Sequence, residues 1–216
     1  MSSASDDVFH VLRTTRSVRR RLDFERPVEP DVLEECIDAA VQAPTGLNRE
    51  AWRFLVLTDP EPKEAIAALY RRSFGAMAQQ WEQAPPPGWG DVQPPQDRVT
   101  YVGLAERLQE MPALVLVYSL GQPDVNDEAS LLSFYGSVLP AAWSLMLALR
   151  ARGLGTTWTT LLARESAAVS DALSVPDDVT QTVLLPVAWT RDAKLRPADR
   201  QPARAVTYWN TWGRTR

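Results

Sequence analysis

The sequence predicts an α+β fold in which helices flank a central mixed sheet. Three apolar runs, at residues 52–62, 112–120 and 180–190, have the β-branched and aromatic composition of buried strands. Between them lie segments whose apolar residues recur at helical spacing. Of the 216 residues, 45% are hydrophobic and 23% are charged, which is enough apolar side chain to form one domain over residues 1–216.

Two helices are predicted before the first strand. The first begins at Ser5, and Arg16 and Arg19 emerge at its far end. The second lies within residues 28–46, where a proline suits the first turn and apolar residues form one stripe. This stripe contains Cys36, the one cysteine, which we expect to be a packed core thiol.

Further helices are predicted at about 63–80 and 165–173. The segment 127–152 is apolar on nearly every face, which is typical of a long helix that is buried in a core or shared between two subunits of a homodimer. Prolines and glycines at about 83–97 predict a long surface loop of the kind that forms lids. Residues 191–216 predict an extended C-terminal tail docked on the domain.

Composition excludes several classes of function. Lysine and arginine number 23 against 27 acidic residues, so a net charge of −4 gives no global attraction to nucleic acid or to an anionic membrane. The polar, acidic N-terminus does not resemble a signal peptide, and we expect a cytoplasmic protein. The sequence has no spacing of histidine, cysteine and carboxylate residues that predicts a metal site, and His10, the sole histidine, has no nucleophile motif to serve.

A local cluster of arginines lies in "TTRSVRRRLDF", residues 14–24. Arg16 and Arg19 are three residues apart, so on a helix they would share a face and grip one phosphate from two sides, with Ser17 as a hydroxyl donor. On spacing alone, a solvated helix end is the simpler interpretation, because arginine also favours the C-terminal dipole of a helix.

The order of four motifs favours a phosphate-binding role for Arg16 and Arg19 over a solvated helix end. "TTRSVRR", "APTGLNREAWRFLVL", "GLGTTWTTL" and "ADRQP" follow one another along nearly the whole chain, and together they resemble the FMN-dependent nitroreductase family. The resemblance implies FMN as the cofactor of a homodimer, with the second motif contributed by the other subunit. The positions that it assigns to FMN are Arg16, Ser17 and Arg19 in the first motif, Pro44, Thr45, Gly46 and Asn48 in the second, Thr160 and Leu161 in the third, and Arg200 in the fourth.

The resemblance also implies roles and a reaction. Arg19 would lie at the pyrimidine edge of the flavin and Thr160 would offer a backbone N–H to flavin N5, so both would tune the flavin. NADH or NADPH would donate hydride, and a nitroaromatic, a quinone or a similar small acceptor would then take its place in a ping-pong cycle. This chemistry requires no metal and no side-chain acid.

Two alternatives stay open at this point. A flavin site of this type also suits a dehydrogenase or a dehalogenase of a small metabolite. The basic cluster alone would suit a non-catalytic binding protein. The chain departs from the family pattern at Glu50 and Ala51, where glutamine and proline are usual, and at Trp143 and Ser144, where similar sequences often carry glutamine and asparagine.

Overall fold

The structure is a computed structural model that describes residues 4–84, 95–192 and 194–216. Contacts between residues divide this part of the chain into two units. Residues 16–192 form the larger unit, and residues 4–15 together with 194–216 form the smaller one. The single domain and the docked tail at 191–216 remain predictions.

The larger unit contains a sheet with strands β1 (Leu22–Asp23), β2 (Trp52–Leu57), β3 (Ala113–Leu120), β4 (Leu154–Thr156) and β5 (Val179–Thr190). The order is β1-β5-β3-β2, and β4 also pairs with β5. Every pairing between these strands is antiparallel. The fold class is therefore confirmed as α+β, but the prediction of a mixed sheet is wrong.

The helices of the described residues are α1 (Ala4–Thr14), α2 (Pro30–Ala40), α3 (Pro60–Gln83), α4 (Pro95–Arg107), α5 (Glu128–Gly136), α6 (Leu139–Ala151) and α7 (Ser166–Leu173). Helix α4 was not predicted, and it explains the direction of β3. A single helix between two strands returns the chain for parallel pairing, whereas the two helices α3 and α4 return it for antiparallel pairing.

The predicted long helix at 127–152 is two helices. Helix α5 ends at Gly136, and α6 begins at Leu139 with Pro140 in its first turn, where a missing N–H costs no hydrogen bond. By length and composition alone, Glu128–Ala151, with a mean hydropathy of 1.5, could cross a membrane. Core helices pass the same test, and Ala142, Leu145 and Leu149 of α6 are fully buried.

The core lies between the sheet and the helices α2 and α6. Val115 and Val117 of β3 and Leu185 of β5 are completely buried there, together with Leu145 of α6. Cys36 of α2 belongs to the same cluster at 2% exposure, which confirms the prediction of a core thiol. Burial also raises the pKa of the Cys36 thiol.

Most of the predicted proline-rich loop at 83–97 lies outside the described residues, which exclude 85–94. The ends of that stretch are helical, because α3 continues to Gln83 and α4 begins at Pro95. Both ends of the range whose composition predicts a loop are therefore helical.

Gly155 of β4 lies where three elements meet. A Cβ atom there would lie 2.9 Å from Leu22 Cδ2 and 2.9 Å from Thr190 Cγ2, which is closer than real Cβ contacts, and 3.0 Å from Val18 Cγ1, which is tighter than most of them. Leu22 and Val18 are themselves buried, so neither side chain has room to move away.

We expect Gly155→Ala to lower the free energy of unfolding by about 1–3 kcal/mol, because the added methyl overpacks this junction. Gly75→Ala in α3 is the matched control, since no atom lies within 4 Å of its added Cβ. That change should raise the free energy of unfolding by about 0.5–1 kcal/mol through helix propensity. Denaturant titration of both variants measures the difference, and equal effects would contradict the packing.

Candidate functional site

The segment that carries Arg16 and Arg19 is not helical. Helix α1 ends at Thr14, so the prediction that the two arginines share a helix face is wrong. Val18 N donates to Thr156 O at 2.9 Å, and Thr157 Oγ1 donates to Val18 O at 3.0 Å. These hydrogen bonds hold the segment against the chain that follows β4.

That following chain forms a turn at residues 157–161. Thr159 N donates to Leu184 O at 3.1 Å and Leu184 N donates to Thr159 O at 2.9 Å, which continues the register of β4 on β5. Leu161 N donates to Thr159 Oγ1 at 3.4 Å. Thr160 is exposed, and its N–H has no acceptor in the described part of the chain. Of the two backbone donors assigned to flavin N5, Thr160 N–H is therefore the available one.

A cavity of about 430 Å³ brings Arg19, Thr160 and Leu161 together. The Arg19 guanidinium stacks over the Tyr101 ring, 4.2 Å from its centre, while Arg19 Nε is buried with no hydrogen-bond partner. An orphaned buried donor of this kind costs free energy unless a ligand supplies an acceptor. The remaining described walls of the cavity are Tyr70, Phe74, Met77, Trp81, Leu104, Thr157, Trp158, Thr159 and Arg164.

Tyr70 connects the wall formed by α3 to the turn. Its hydroxyl lies 3.3 Å from Thr159 Oγ1, and its side chain is buried. Burial raises the pKa of Tyr70, whereas the bond to Thr159 and the charge of Arg19 act in the opposite direction. Tyr70 therefore remains a neutral phenol at physiological pH.

The second predicted motif lies elsewhere in the larger unit. Thr45 and Gly46 line a different cavity, of about 610 Å³, and Gly46 N donates to Ser137 Oγ at 3.0 Å. Leu47 and Asn48 have φ angles of 54° and 53°, a strained conformation that is often found at functional sites. Pro44 and Asn48 are exposed. Within one chain, this turn does not meet the cavity that Arg19 lines.

The other predicted positions fall as follows. Ser17 is exposed and Arg16 is half-buried in the larger unit, whereas Arg200 is exposed in the smaller unit. His10 is exposed in α1. No group of metal-ligating side chains occurs among the described residues.

Sequence reasoning missed the aromatic walls and a second arginine cavity. Phe74, Met77 and Trp81 recur at helical spacing in α3, so the sequence predicts that they share a helix face. It does not show that this face lines the cavity. Arg20 and Arg21 line a cavity of about 470 Å³ that also contains the arginines of positions 107 and 191. The pairing of β1 with β5 brings Arg21 beside Arg191, and Arg107 of α4 stacks on the Phe24 ring, so contacts distant in sequence form this cavity.

Comparison with known proteins now identifies the family. The model of the nitroreductase family matches residues 12–189. The chain belongs to the nitroreductase family. The resemblance predicted from the order of the four motifs is thus confirmed, and so is the nitroreductase-like fold.

Curated relatives of this nitroreductase-family chain include deiodinases. Iodotyrosine deiodinase of Drosophila melanogaster is 30% identical over 194 residues, which cover 86% of the chain and 63% of that relative. The chain thus spans less than two thirds of the fly protein. Iodotyrosine deiodinase of Thermotoga neapolitana is 28% identical over 184 residues, which cover 85% of this chain and 89% of that relative. The 5,6-dimethylbenzimidazole synthase of Rhodospirillum rubrum is 26% identical over 197 residues, which cover 87% of this chain and 82% of that relative.

Solved structures share the fold. Oxidized iodotyrosine deiodinase bound to FMN and 3-iodo-L-tyrosine matches with a TM-score of 0.75 at 23% identity, covering 95% of this chain and 100% of that chain. A BluB-like flavoprotein from Clostridium difficile matches with a TM-score of 0.71 at 17% identity, covering 98% of this chain and 100% of that chain. The nitroreductase family thus includes enzymes with different reactions on one scaffold.

We expect Tyr70 and Thr159 to be energetically coupled through their hydroxyls. Tyr70→Phe should lower the free energy of unfolding by about 0.5–1.5 kcal/mol, because it removes a buried hydrogen bond. A double-mutant cycle with Thr159→Val, measured by denaturant titration, isolates this pair. Fully additive losses in the double variant would show that the two hydroxyls do not interact.

Proposed function

We propose that the chain binds FMN in the cavity lined by Arg19, Thr160 and Leu161. The residues present fit a flavin, since the orphaned Arg19 Nε and the Thr160 N–H are donors and a flavin ring carries acceptors. A structural relative is solved with FMN bound, which supports the same cofactor here. The chain has no glycine-rich turn of the kind that cradles a pyrophosphate, which favours FMN over FAD.

The chain's own residues would orient and tune the cofactor. Bound FMN supplies hydride and electron transfer, which no side chain can provide. The Arg19 cation would stabilise negative charge at the pyrimidine edge of the flavin and so raise its reduction potential. The Thr160 N–H would hold N5, and the resemblance to the family assigns the phosphate to Arg16, Ser17 and Arg200.

A second copy of the chain completes the site in this proposal. The turn at 44–48 lines a different cavity from Arg19 in one chain, so it reaches the flavin only from a partner. Leu47 is 91% exposed in that turn, Leu132 of α5 is 70% exposed and Trp143 of α6 is 40% exposed. Exposed apolar side chains of this size support a homodimer interface.

The proposed activity is reduction of a small aromatic acceptor. Hydride comes from NADH or NADPH, and a nitroaromatic or a quinone then occupies the same cavity. The observation that carries the proposal is a cavity that combines the unpaired Arg19 Nε donor with aromatic walls. Protons can come from solvent, so the reaction does not require a histidine at the cavity. The sole histidine, His10, is exposed in α1.

Reductive dehalogenation is the second candidate. Iodotyrosine deiodinases of two organisms match most of the chain, which supports chemistry on a carbon–halogen bond. In that reaction two electrons and a proton replace the halogen, which leaves as halide. The same cavity would accept the halogenated ring.

One experiment separates these activities. The purified protein is reconstituted with FMN, and the cofactor is released and identified by mass. The holoprotein is then tested with a nitroaromatic, a quinone and a halophenol, each with NADH, NADPH or dithionite as the reductant. Nitro or quinone reduction supports the first candidate and halide release supports the second. Failure to retain FMN would point to the non-catalytic binding protein.

Two of the three arginines assigned to FMN, Arg19 and Arg200, should act differently when they are replaced. Arg200→Ala should weaken FMN binding by about 1.5–3 kcal/mol, because the phosphate loses a charge-assisted hydrogen bond. Arg19→Ala should weaken binding and also lower the reduction potential, because its proposed partner is the flavin ring. FMN fluorescence titration and potentiometry measure the two effects.

Arg204→Ala is the matched control for Arg200, since Arg204 is exposed in the same C-terminal segment. It should leave FMN affinity unchanged. Equal small effects at Arg19, Arg200 and Arg204 would mean that the assigned arginines do not hold the cofactor.

A further inference from the structure

The walls of the cavity beside Arg19 are rich in aromatic side chains. Phe74, Met77 and Trp81 come from successive turns of α3, Tyr101 comes from α4, and Trp158 comes from the turn after β4. Aromatic faces stack with flat rings and gain little from flexible polar ligands. The cavity therefore selects a planar aromatic ring.

The charged side chains of the same cavity all have one sign. Among its described lining residues, Arg19 and Arg164 are cationic, and none is a carboxylate. The nearest acid in the sequence, Glu165, is already engaged: it accepts from Arg72 Nε at 2.9 Å and from Ser73 Oγ at 3.3 Å. Hydrogen bonding to Arg72 holds the pKa of Glu165 below its usual value, so its charge is compensated there.

Arg164 is the cation that remains for a substrate. Arg19 stacks on Tyr101 and is assigned to the flavin, whereas Arg164 is exposed and has no ion-pair partner in the described part of the chain. A guanidinium presents paired N–H donors that match a carboxylate in a bidentate arrangement. An ammonium group, in contrast, would meet only positive charge.

We propose that the electron acceptor of this chain is a planar aromatic anion, and that Arg164 selects it by pairing with its carboxylate. This inference rests on the proposed function, because it names the acceptor of the same cavity. It separates aromatic acids from neutral aromatics and from zwitterionic or cationic ones. Arg164 is thereby a specificity-determining residue.

Three isosteric probes test the proposal. They are 4-nitrobenzoate, 4-nitrobenzamide and 4-nitrobenzylamine, which share one ring and differ in charge. Their binding to the FMN-loaded, oxidised protein is measured by calorimetry without reductant, so that no turnover occurs. The expected order of affinity is the acid first, then the amide, then the amine, with about three- to tenfold between acid and amide, as an exposed charge pair allows.

Arg164→Gln removes the charge and retains the polar side chain. It should abolish the preference for the acid over the amide while leaving the affinity for the amide and for FMN unchanged. Arg71→Gln is the matched control, because Arg71 lies on α3 but faces Glu64 and Gln109 instead of the cavity. The control should keep the preference of the unmodified protein.

Two results would overturn the proposal. One is equal affinity of the unmodified protein for the acid and the amide. The other is a loss of FMN affinity in Arg164→Gln, which would assign Arg164 to the cofactor. Failure of the proposed function is seen separately, since it appears as no retained FMN or as no reduction of any probe by dithionite-treated holoprotein.

Discussion

The hydrogen bonds between Val18 and the chain after β4 are the constraint on which the site depends. Val18 N bonds to Thr156 O and Thr157 Oγ1 bonds to Val18 O, so two segments about 140 residues apart are fixed side by side. The second segment is itself held in register by the paired bonds between Thr159 and Leu184 of β5. The rigid sheet thus sets the distance between the arginine segment and the turn.

That placement concentrates positive charge and unpaired donors in one cavity. Arg19 leaves a buried Nε without an acceptor, and Thr160 leaves a backbone N–H without one in the described residues. Folded proteins rarely leave buried donors unsatisfied unless a ligand, water or ion completes them. The aromatic walls add an apolar surface, and the combination suits a flat, negatively polarised ligand better than a metal or a nucleotide triphosphate.

Sequence reasoning recovered the parts whose signal is local. Apolar runs predict the strands that the structure has at 52–57, 113–120 and 179–190. The apolar stripe of α2 predicts the core position of Cys36. Neither signal depends on residues distant in sequence. The break between α5 and α6 was missed because both halves are apolar, although Pro140 favours the start of a helix over its interior. Helix α4 was missed because its apolar residues show little helical periodicity. Its first residues also belong to the proline-rich stretch that predicts a loop.

The site was predictable only in part. The motif order predicts one site for Arg19 and Thr160, and both residues line one cavity, but no local pattern shows that Tyr70, Tyr101 and Arg164 line it too. Those contacts depend on how α3 and α4 pack, which involves residues distant in sequence. The position of the arginine segment beside β4 was also not predictable, since it depends on the hydrogen bond from Val18 to Thr156, which is distant in sequence.

The most direct test of the central claim is a crystal structure of the chain with FMN. In that structure, the pyrimidine edge of the flavin should lie within hydrogen-bond distance of Arg19, and flavin N5 within hydrogen-bond distance of Thr160 N, with residues 44–48 of a second copy against the ring. A flavin bound at another surface, or one enclosed by a single chain without the partner's turn, would contradict it.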